Sequence, residues 1–457
     1  MKVLVVGGGG REHALVWKIA QNQSVEKIYC APGNGGITEL AECVPIKATD
    51  IDGMVAFAKD NNIDLVVVAP DDPLGAGMVD VLQEAGIRAF GPVKAAALIE
   101  ASKSFSKNFM KKYNIPTAKY EVFDNYEKAC EYLKECEYPI VIKADGLAAG
   151  KGVIIAENNE QAFDAVKNIM GDKVFGDAGS KVIVEEFLKG QEVSVLAFTD
   201  GKTVIPMVSS QDHKKVFDGD KGLNTGGMGA FSPSRIYTPQ LAELCMKNII
   251  IPTIKAMNNE GRTFKGVLYY GLMITKNGPK VLEYNARFGD PETQVVLPRL
   301  KTDLIDIINA IIDEKLDQIN IEWDERAAAC VILASGGYPG KYKTGYEIKG
   351  INSYMNNKNN YKNNTSKDNA SKDNASKDNI NKDDINNAII FHAGTKLENG
   401  KYYTSGGRVL GVTALGQNLD IAIKKAYIEV EKIHFENMHY RKDIGQKKES
   451  GDFEGKI

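Results

Sequence analysis

The chain has 457 residues, of which 43% are hydrophobic and 26% are charged, and its formal net charge is −3. This length predicts about three domains, because a single core stops growing at roughly 250–300 residues. The charge balance excludes a general attraction to nucleic acid or anionic membranes, so phosphate must be bound at local sites. No apolar run approaches the roughly 20 residues that a membrane-spanning helix needs.

The apolar run that follows Met1 is too short for a secretion signal and predicts a first buried strand. The six cysteines are scattered, and no two form a Cys-x-x-Cys pair. Reduced thiols in a cytoplasmic protein are therefore favoured over disulfides or a zinc site.

Strands and helices alternate through the first hundred residues. The predicted strands are Val3–Val6, Lys27–Ala31, Leu65–Ala69 and Arg88–Phe90, and the predicted helices are Glu12–Gln21, Asp52–Asp60 and Val79–Ala85. Such alternation predicts a parallel sheet with helices on both faces. Ligands of such sheets lie at the carboxyl ends of the strands, where Gly7–Gly10 and Pro70–Leu74 fall.

Two further sections follow, so the predicted class is a multidomain α/β and α+β protein. From about residue 102, neighbouring strands without crossover helices predict an α+β region, and from about residue 325 a smaller α+β region follows. Residues 356–387 are rich in Asn, Lys, Asp and Ser and repeat Ser-Lys-Asp-Asn. This composition predicts a disordered surface insertion, with a partner-binding segment as the alternative.

Three glycine-rich segments are candidate phosphate sites. The first, Gly7–Gly10, lies between a predicted strand and helix, where exposed backbone N–H groups bind anions. A dinucleotide fingerprint needs glycine at its sixth position, and here Glu12 or His13 stands there. NAD is therefore disfavoured. A phosphate or phosphoribosyl ligand fits, and a purely structural turn stays open.

The second segment runs from Lys143 to Gly152 and is similar to a P-loop. Its glycine spacing is one residue short, and Gly152 replaces the Ser or Thr that binds magnesium. Predicted strands lie on both sides of it, whereas a P-loop joins a strand to a helix. We therefore predict a glycine hairpin whose lysines and backbone amides close over a triphosphate.

The third segment comprises Ser209–Lys214 and Asn224–Gly229. Its mixture of charged residues and glycines is typical of a loop that closes on a substrate. A solvated surface loop is the alternative interpretation.

The strongest chemical pattern lies at Glu283 and Asn285. They are two residues apart on a predicted strand, so their side chains share a face. Carboxylate and amide oxygens are hard ligands for Mg²⁺, which keeps phosphate and water at its other positions. Arg287 continues the alternation and is suited to holding a carboxylate or phosphate with two hydrogen bonds. The alternative to a metal site is a polar strand edge that faces solvent.

Several of these segments resemble the phosphoribosylamine–glycine ligase family of the ATP-grasp superfamily. The string Arg287–Gln294 is the most specific, and the resemblance covers the chain except Asn356–Asn387 and the C-terminal end. The matching motifs are Gly9–Leu15, Lys143–Val153, Gln211–Lys214, Asn224–Gly229, Arg287–Gln294 and Gly406–Leu410.

The resemblance implies a doubly wound N-terminal domain (1–101), an ATP-grasp domain that clamps ATP (102–324, with a mobile lid near 122–190) and a C-terminal domain (325–457). The implied reaction is the second step of de novo purine synthesis. ATP, glycine and 5-phosphoribosylamine give glycinamide ribonucleotide, ADP and phosphate through glycyl phosphate. A cytoplasmic monomer that uses Mg²⁺, with Mn²⁺ as the alternative, is implied, with neither nucleic acid nor membrane as a partner.

The resemblance also implies residue roles. On the nucleotide side, one set of residues is implied to bind the phosphates, close the loop and contact adenine and ribose: Lys103, Lys143, Gly150, Lys151, Gly152, Glu185, Glu186, Phe187, Leu188 and Glu192. Glu283 and Asn285 are the implied metal ligands. Those on the side of glycine and the phosphoribosyl group are Asp212, Lys214 and Arg287 as catalytic residues and Gly8, Gly9, Gly10, Asn224, Thr225, Gly226, Gly227, Met228, Gly229 and Asp290 as binding residues.

One motif departs from the family pattern. After Leu65–Ala69 the family has Gly-Pro-Glu-x-Pro-Leu, and here the acid is Asp71, which is one methylene shorter, with Asp72 beside it. A rival ATP-grasp ligase or carboxylase would share the metal pair but lack Gln211–Lys214 and the Arg287–Gln294 string. A non-catalytic nucleotide-binding regulator would tolerate the loss of Glu283.

Overall fold

A computed structural model of the chain describes residues 1–147, 152–351 and 388–446. The predicted phosphate-loop residues Gly150 and Lys151 and the predicted insertion 356–387 lie outside these residues. Within the described ranges, no helix combines the length and the apolar character that crossing a membrane requires.

The first hundred residues form a parallel sheet with helices on its faces. Its elements are β1 Lys2–Gly7, α1 Gly10–Ile19, β2 Lys27–Pro32, β3 Glu42–Cys43, α2 Ile51–Asp60, β4 Leu65–Val68, α3 Asp71–Ala76, α4 Met78–Glu84, β5 Ala89–Phe90 and α5 Lys94–Ala101, with a 3-10 turn at Ile37–Glu39. The strand order is β3-β2-β1-β4-β5. This order confirms the doubly wound prediction, and it brings the ends of β1 and β4 together at one edge.

A second, antiparallel sheet follows. Its elements and their flanking helices are α6 Lys103–Lys112, β6 Tyr120–Phe123, α7 Tyr126–Leu133, β7 Ile140–Ala144, β8 Val153–Ala156, α8 Asn159–Val166, a π-helix at Lys167–Gly171, a 3-10 turn at Gly176–Ser180 and β9 Val182–Glu186. The strand order is β6-β9-β7-β8. Lys143 on β7 pairs with Val153 on β8, so the glycine segment joins antiparallel strands, and the hairpin prediction is confirmed.

This second sheet has its own apolar core. The buried members, among them Ala129, Leu133, Ile142 and Val184, are drawn from within this sheet and its helices. By contrast, one continuous cluster joins residues of the first sheet, such as Leu4, to residues of the next section. A separately packed unit is what a lid requires, and the mobility of this lid stays a prediction.

The next section supplies a third sheet and the predicted substrate loop. Its elements are β10 Gln191–Thr199, β11 Val204–Pro206, β12 Gln211–Asp212, β13 Lys215–Phe217, β14 Lys221–Asn224, β15 Gly229–Ser232, α9 Pro239–Cys245, a π-helix at Met246–Ile250, α10 Ile251–Asn259, β16 Gly266–Thr275 and β17 Gly278–Asn285. The antiparallel order β11-β10-β16-β17 places β17 at an edge, and β13 and β14 form a separate hairpin.

The last section completes a sheet that begins earlier in the chain. Its elements are α11 Thr293–Val296, a 3-10 turn at Leu297–Arg299, α12 Leu304–Ile312, a 3-10 turn at Leu316–Gln318, β18 Ala327–Ser335, β19 Glu347–Ile348, β20 Ile389–His392, β21 Thr395–Glu398, β22 Lys401–Thr404, β23 Arg408–Gly416, α13 Leu419–Val430 and β24 Met438–His439. The order is β12-β15-β18-β23-β20, with β24 also on β18. The substrate loop between β12 and β15 therefore begins and ends on this sheet.

Candidate active site

The predicted metal pair lies at the end of β17. Tyr284, between the two residues, is buried and its hydroxyl lies 2.9 Å from that of Thr253 on α10. Glu283 and Asn285 project to the other face of the strand. The Glu283 Oε1 lies 3.6 Å from Nζ of Lys214, and the Asn285 Oδ1 accepts a hydrogen bond from Nη2 of Arg287 at 3.3 Å. Two cationic groups thus stand at the two candidate ligand atoms.

The environment of Glu283 keeps its carboxylate ionised. Burial alone would raise its pKa, but the charges of Lys214, Lys143 and Lys103 outweigh burial and lower the pKa to about 2. An ionised carboxylate beside an amide oxygen is a donor set that fits Mg²⁺. No cluster of three or more His, Cys, Asp or Glu side chains suited to a metal occurs in the part of the chain that the structure describes. A metal held by Glu283 and Asn285 would therefore need further ligands, such as phosphate and water.

The predicted phosphate lysines converge on the same cleft. Lys103, at the start of α6, donates to the carbonyl of Gly146 at 3.1 Å. Lys143 donates to the carbonyl of Leu282 at 3.2 Å, next to Glu283. Gly152 closes the hairpin, since its carbonyl accepts from the backbone N–H of Ala144 at 2.8 Å. Several ammonium groups thus lie in the cleft around the carboxylate of Glu283. This concentration of positive charge is suited to binding a polyanion.

In the predicted hinge, Glu185 to Leu188, both acidic side chains form ion pairs with lysines of the protein. Glu185 is 3% exposed and pairs with Lys107 at 2.8 Å and with Lys143 at 3.1 Å. Glu186 pairs with Lys280 at 2.8 Å. The side chains of Glu185 and Glu186 are thus engaged within the protein.

An apolar patch lies beside this hinge. Leu188 packs with Ala118 and Met273, and Leu282 contacts the same cluster. Phe187 is half-buried between the acidic pair and this patch. A small apolar surface of this kind is a usual setting for a flat heteroaromatic ring.

Lys214 connects the nucleotide side to the substrate loop. Its Nζ lies 3.1 Å from Oε2 of Glu192, the predicted ribose ligand, as well as 3.6 Å from Glu283. Two residues earlier, burial raises the pKa of Asp212 to about 8; Lys214 opposes this shift, while Glu292, Glu192 and Glu283 add to it. Asp212 is therefore protonated more readily than an ordinary aspartate, and, against the effect of burial, the nearby acids raise the pKa of Lys214, which keeps its charge.

The glycine stretch of the substrate loop folds back onto Lys214. Thr225 donates to the carbonyl of Lys214 through its backbone N–H at 2.7 Å and its hydroxyl at 2.8 Å. Gly227 has φ +116°, and a Cβ there would strike Pro291, so only glycine fits. Asn224 ends β14, while Met228 and Gly229 are buried at the start of β15.

Arg408 ties this stretch to Asp290. Its Nη1 donates to the carbonyls of Gly226 and Asp290, each at 2.7 Å, and its Nη2 lies 3.3 Å from Oδ2 of Asp290. Asp290 also accepts from Nε2 of Gln294 at 2.8 Å. The predicted substrate residues Gly226, Gly227 and Asp290 are therefore held as one assembly.

The position of Arg287 differs from the expectation that it continues the strand. The strand β17 ends at Asn285, and Arg287 lies in the bend beyond it. Its Nη2 pairs with Glu100 at 2.9 Å and lies 3.8 Å from Asp71, the acid that departs from the family motif. Its Nε is buried and has no hydrogen-bond partner among the described residues. Strand alternation could not predict this, because the backbone turns before Arg287.

The first glycine segment meets the end of β4, as the parallel sheet predicts. Among Gly8, Gly9 and Gly10, the N–H of Gly9 already donates to Oε2 of Glu12 at 2.6 Å, which caps helix α1. The carbonyl of Gly8 accepts from the side-chain amide of Asn34 at 2.9 Å. Asp290 lies close to Gly9, so this segment borders the substrate loop.

Comparison with known proteins identifies the family. The family models of phosphoribosylglycinamide synthetase match residues 1–100 (N domain), 101–293 (ATP-grasp (A) domain) and 368–447 (C domain). A phosphoribosylamine–glycine ligase of Clostridium acetobutylicum is 51% identical over 448 residues, which cover 98% of this chain and 100% of that protein. The chain belongs to the phosphoribosylamine–glycine ligase family.

Further relatives agree with this assignment. A phosphoribosylamine–glycine ligase of Caldanaerobacter subterraneus subsp. tengcongensis is 48% identical, covering 97% of this chain and 99% of its own length. The crystal structure of phosphoribosylamine–glycine ligase from Thermotoga maritima superposes with a TM-score of 0.79 at 31% identity, covering 97% of this chain and 100% of that one. The biotin carboxylase domain of a Hydrogenobacter thermophilus 2-oxoglutarate carboxylase shares only the fold, with 15% identity, a TM-score of 0.69 and coverage of 96% and 91%.

The structure adds residues to this ligase-family site that the sequence reasoning missed. Glu100 is buried against Arg287, and Lys107 is buried against Glu185. The sequence signal for Glu100 was its position as a lone glutamate near the end of the apolar helix α5. Lys107 stands four residues after Lys103 on one helix face, which was a signal too. Arg408 lies inside a motif that carried the resemblance, yet no role followed from the motif alone.

Proposed function

We propose that the chain joins glycine to 5-phosphoribosylamine at the expense of ATP, forming glycinamide ribonucleotide, ADP and phosphate. The observation that carries this proposal is the position of Lys214, whose Nζ contacts both Glu192 and Glu283 while its backbone anchors the glycine stretch. A carboxylate-activating ligase needs this proximity, because the γ-phosphate must reach the carboxylate of the amino acid. Membership of the ligase family supports the same substrates.

The chemistry requires two displacements. An oxygen of the glycine carboxylate attacks the γ-phosphorus, and the bond between that phosphorus and ADP breaks, giving glycyl phosphate. The amine of phosphoribosylamine then attacks the acyl carbon, phosphate leaves with the carboxylate oxygen, and the amine loses a proton. No enzyme nucleophile takes part, so the chain contributes positioning and charge stabilisation.

On the nucleotide side, Glu283 and Asn285 would hold Mg²⁺, or Mn²⁺ as the alternative. When bound, the metal neutralises charge on the triphosphate. Lys103 and Lys143 would contact phosphate oxygens, and the hairpin residues Gly150, Lys151 and Gly152 would cover them. The backbone of Glu185–Leu188 would meet adenine beside the Leu188 patch, and Glu192 would bind the ribose.

On the substrate side, Arg287 is suited to the glycine carboxylate, because its Nε lacks a partner among the described residues. Asp212 and Lys214 would align the amine and the transferring phosphoryl group. Asn224–Gly229 and Asp290 would enclose glycine and the sugar, and Gly8–Gly10 would border the sugar phosphate. These roles are consistent with a closed loop that excludes water from glycyl phosphate.

A coupled assay of ADP release tests the proposal. The purified chain is supplied with ATP, Mg²⁺ and glycine, with and without freshly prepared phosphoribosylamine. We expect turnover only when all substrates are present, and mass spectrometry should show glycinamide ribonucleotide. Alanine and bicarbonate replace glycine as controls. Turnover with either, and none with glycine, would overturn the assignment in favour of another ATP-grasp ligase or a carboxylase.

We further propose that the enzyme is a cytoplasmic monomer. All six cysteines are free thiols, as expected in a reducing compartment. Light scattering of the purified chain checks the oligomeric state, and a mass near 49.9 kDa is the expected result.

A further inference from the structure

The hairpin inside the substrate loop has little apolar packing of its own. Residues 215–224 contain one buried side chain, Val216. The large apolar residues Phe217 and Leu223 are 53% and 65% exposed. A two-stranded hairpin without a buried face is marginal in water, so its order must depend on contacts from elsewhere.

Those contacts come from the C-terminal segment 438–446, here named the clasp. The clasp begins on the C-terminal sheet, where β24 pairs with β18. Nε2 of the His439 ring then forms a hydrogen bond with the carbonyl of Val216 at 2.8 Å. The backbone N–H of Lys442 donates to Oδ1 of Asp218 at 2.8 Å, and Oδ2 of Asp443 accepts from the N–H of Gly219 at 2.9 Å.

Arg441 is the centre of the clasp. Its side chain is fully buried. Its Nη1 donates to Oδ1 of Asp220 at 2.9 Å and to the carbonyl of Lys215 at 3.0 Å. Its Nε and Nη2 donate to Asp443 at 2.7 and 2.6 Å. The planar guanidinium thus links strand β13 and the turn of the hairpin to Asp443 of the clasp, a geometry that lysine cannot reproduce.

His213 connects the clasp to the predicted catalytic residues Asp212 and Lys214. The N–H of Gly445 donates to Nε2 of His213 at 3.0 Å, so this ring nitrogen acts as the acceptor. The backbone of His213 donates to Gly229 at 2.9 Å and accepts from Met228 at 2.8 Å. His213 stands between Asp212 and Lys214 in sequence, and it therefore anchors the segment that carries both side chains.

We propose that the clasp is a positioning device for the substrate loop, and that Arg441 and His213 are positioning residues for glycine and phosphoribosylamine. The inference rests on the proposed function for its substrates. It assigns the clasp to the substrate half of the site, because the clasp bonds to residues 213–220 and, among the described residues, has no hydrogen bond to Lys103, Lys143 or Glu185. Lys214 is the residue of this segment that also contacts the nucleotide side, at Glu192 and Glu283.

The first test compares Arg441→Met with Lys442→Ala in the full chain. Lys442 is the matched control, since it is a neighbouring cation whose exposed side chain leaves the backbone bond to Asp218 intact. In Arg441→Met, we expect KM for glycine and phosphoribosylamine to rise on the order of 10- to 100-fold, with KM for ATP within about twofold of wild type. Hydrogen exchange should be faster over 213–229 in Arg441→Met only.

A second pair of variants keeps the inference testable if Arg441→Met does not fold. His213→Gln retains an acceptor for the N–H of Gly445, and His213→Leu removes it. We expect His213→Gln to preserve the wild-type KM for glycine better than His213→Leu does, with KM for ATP unchanged in both. Equal glycine KM values in the two variants would overturn the inference.

The exchange measurement separates failure of the clasp from failure of the proposed reaction. If the wild type makes no glycinamide ribonucleotide, the proposed function fails, while exchange still reports whether the clasp orders the loop. If the wild type is active, unchanged exchange or unchanged glycine and phosphoribosylamine KM in Arg441→Met would overturn the positioning role.

Discussion

Replacing Glu283 by Gln removes one charge and preserves the shape of the side chain. At 3.6 Å from Lys214 and an effective dielectric constant of about 20, the gross attraction lost is roughly 4.6 kcal/mol. The lowering of the Glu283 pKa from 4.5 to about 2 corresponds to roughly 3 kcal/mol, net of the opposing effect of burial. The Glu283 side chain is 32% exposed, so water screens part of this electrostatic stabilisation. We expect the free energy of unfolding to fall by about 1–2 kcal/mol.

The pH dependence of this loss has a definite sign. The folded-state pKa of Glu283 lies below its usual value of 4.5, so its contribution is complete above about pH 4.5 and disappears as the pH falls towards about 2. The difference in unfolding free energy between wild type and Glu283→Gln should therefore be constant from pH 7 to about 5 and shrink below that. Urea denaturation at several pH values measures it. A difference that grows on acidification would refute the electrostatic reasoning.

The activity of Glu283→Gln should fall far more than its stability. Loss of a metal ligand is expected to lower kcat/KM at least about 100-fold and to raise the Mg²⁺ concentration required. Glu314→Gln is the matched control, because Lys202 and Lys265 also lower the Glu314 pKa to about 2, on the turn after α12. We expect this control to keep wild-type kinetics. Wild-type activity and Mg²⁺ dependence in Glu283→Gln would remove Glu283 from the metal site.

Three further substitutions test other parts of the site. Asn285→Ala should raise the Mg²⁺ midpoint of activity with little change in melting temperature. Lys107→Met leaves Glu185 with one cationic partner, so we expect KM for ATP to rise about 10-fold while KM for glycine is unchanged. Gly227→Ala places a Cβ against Pro291 at φ +116°, and thermal denaturation should show a loss of about 1–3 kcal/mol together with impaired glycine use.

Local sequence patterns predicted the buried strands well. The apolar run Val3–Val6 lies inside β1, and the glycine segment joins two antiparallel strands as expected. Helix Asp71–Ala76 was missed, because Pro73 and Gly75 indicate a turn. Pro73 lies in the first turn of that helix, where its missing N–H leaves no bond unmade.

Contacts between distant parts of the chain were beyond local patterns. The strands β12 and β15 precede residue 325 yet pair into the sheet built on β18, so the substrate loop belongs to the C-terminal sheet. Glu100 reaches Arg287, and Arg441 reaches Asp220, only through tertiary packing. Motif spacing predicted a metal pair at Glu283 and Asn285, but it could not predict the cations that tune Glu283, because these come from separate elements.

The fate of the carboxylate oxygen tests the central claim most directly. The wild-type chain is supplied with ATP, Mg²⁺, phosphoribosylamine and glycine labelled with ¹⁸O in both carboxylate oxygens, and the released phosphate is analysed by mass spectrometry. Activation as glycyl phosphate predicts one ¹⁸O atom in each phosphate, transferred when the amine displaces it. Unlabelled phosphate, formed at the same rate as glycinamide ribonucleotide, would contradict the mechanism.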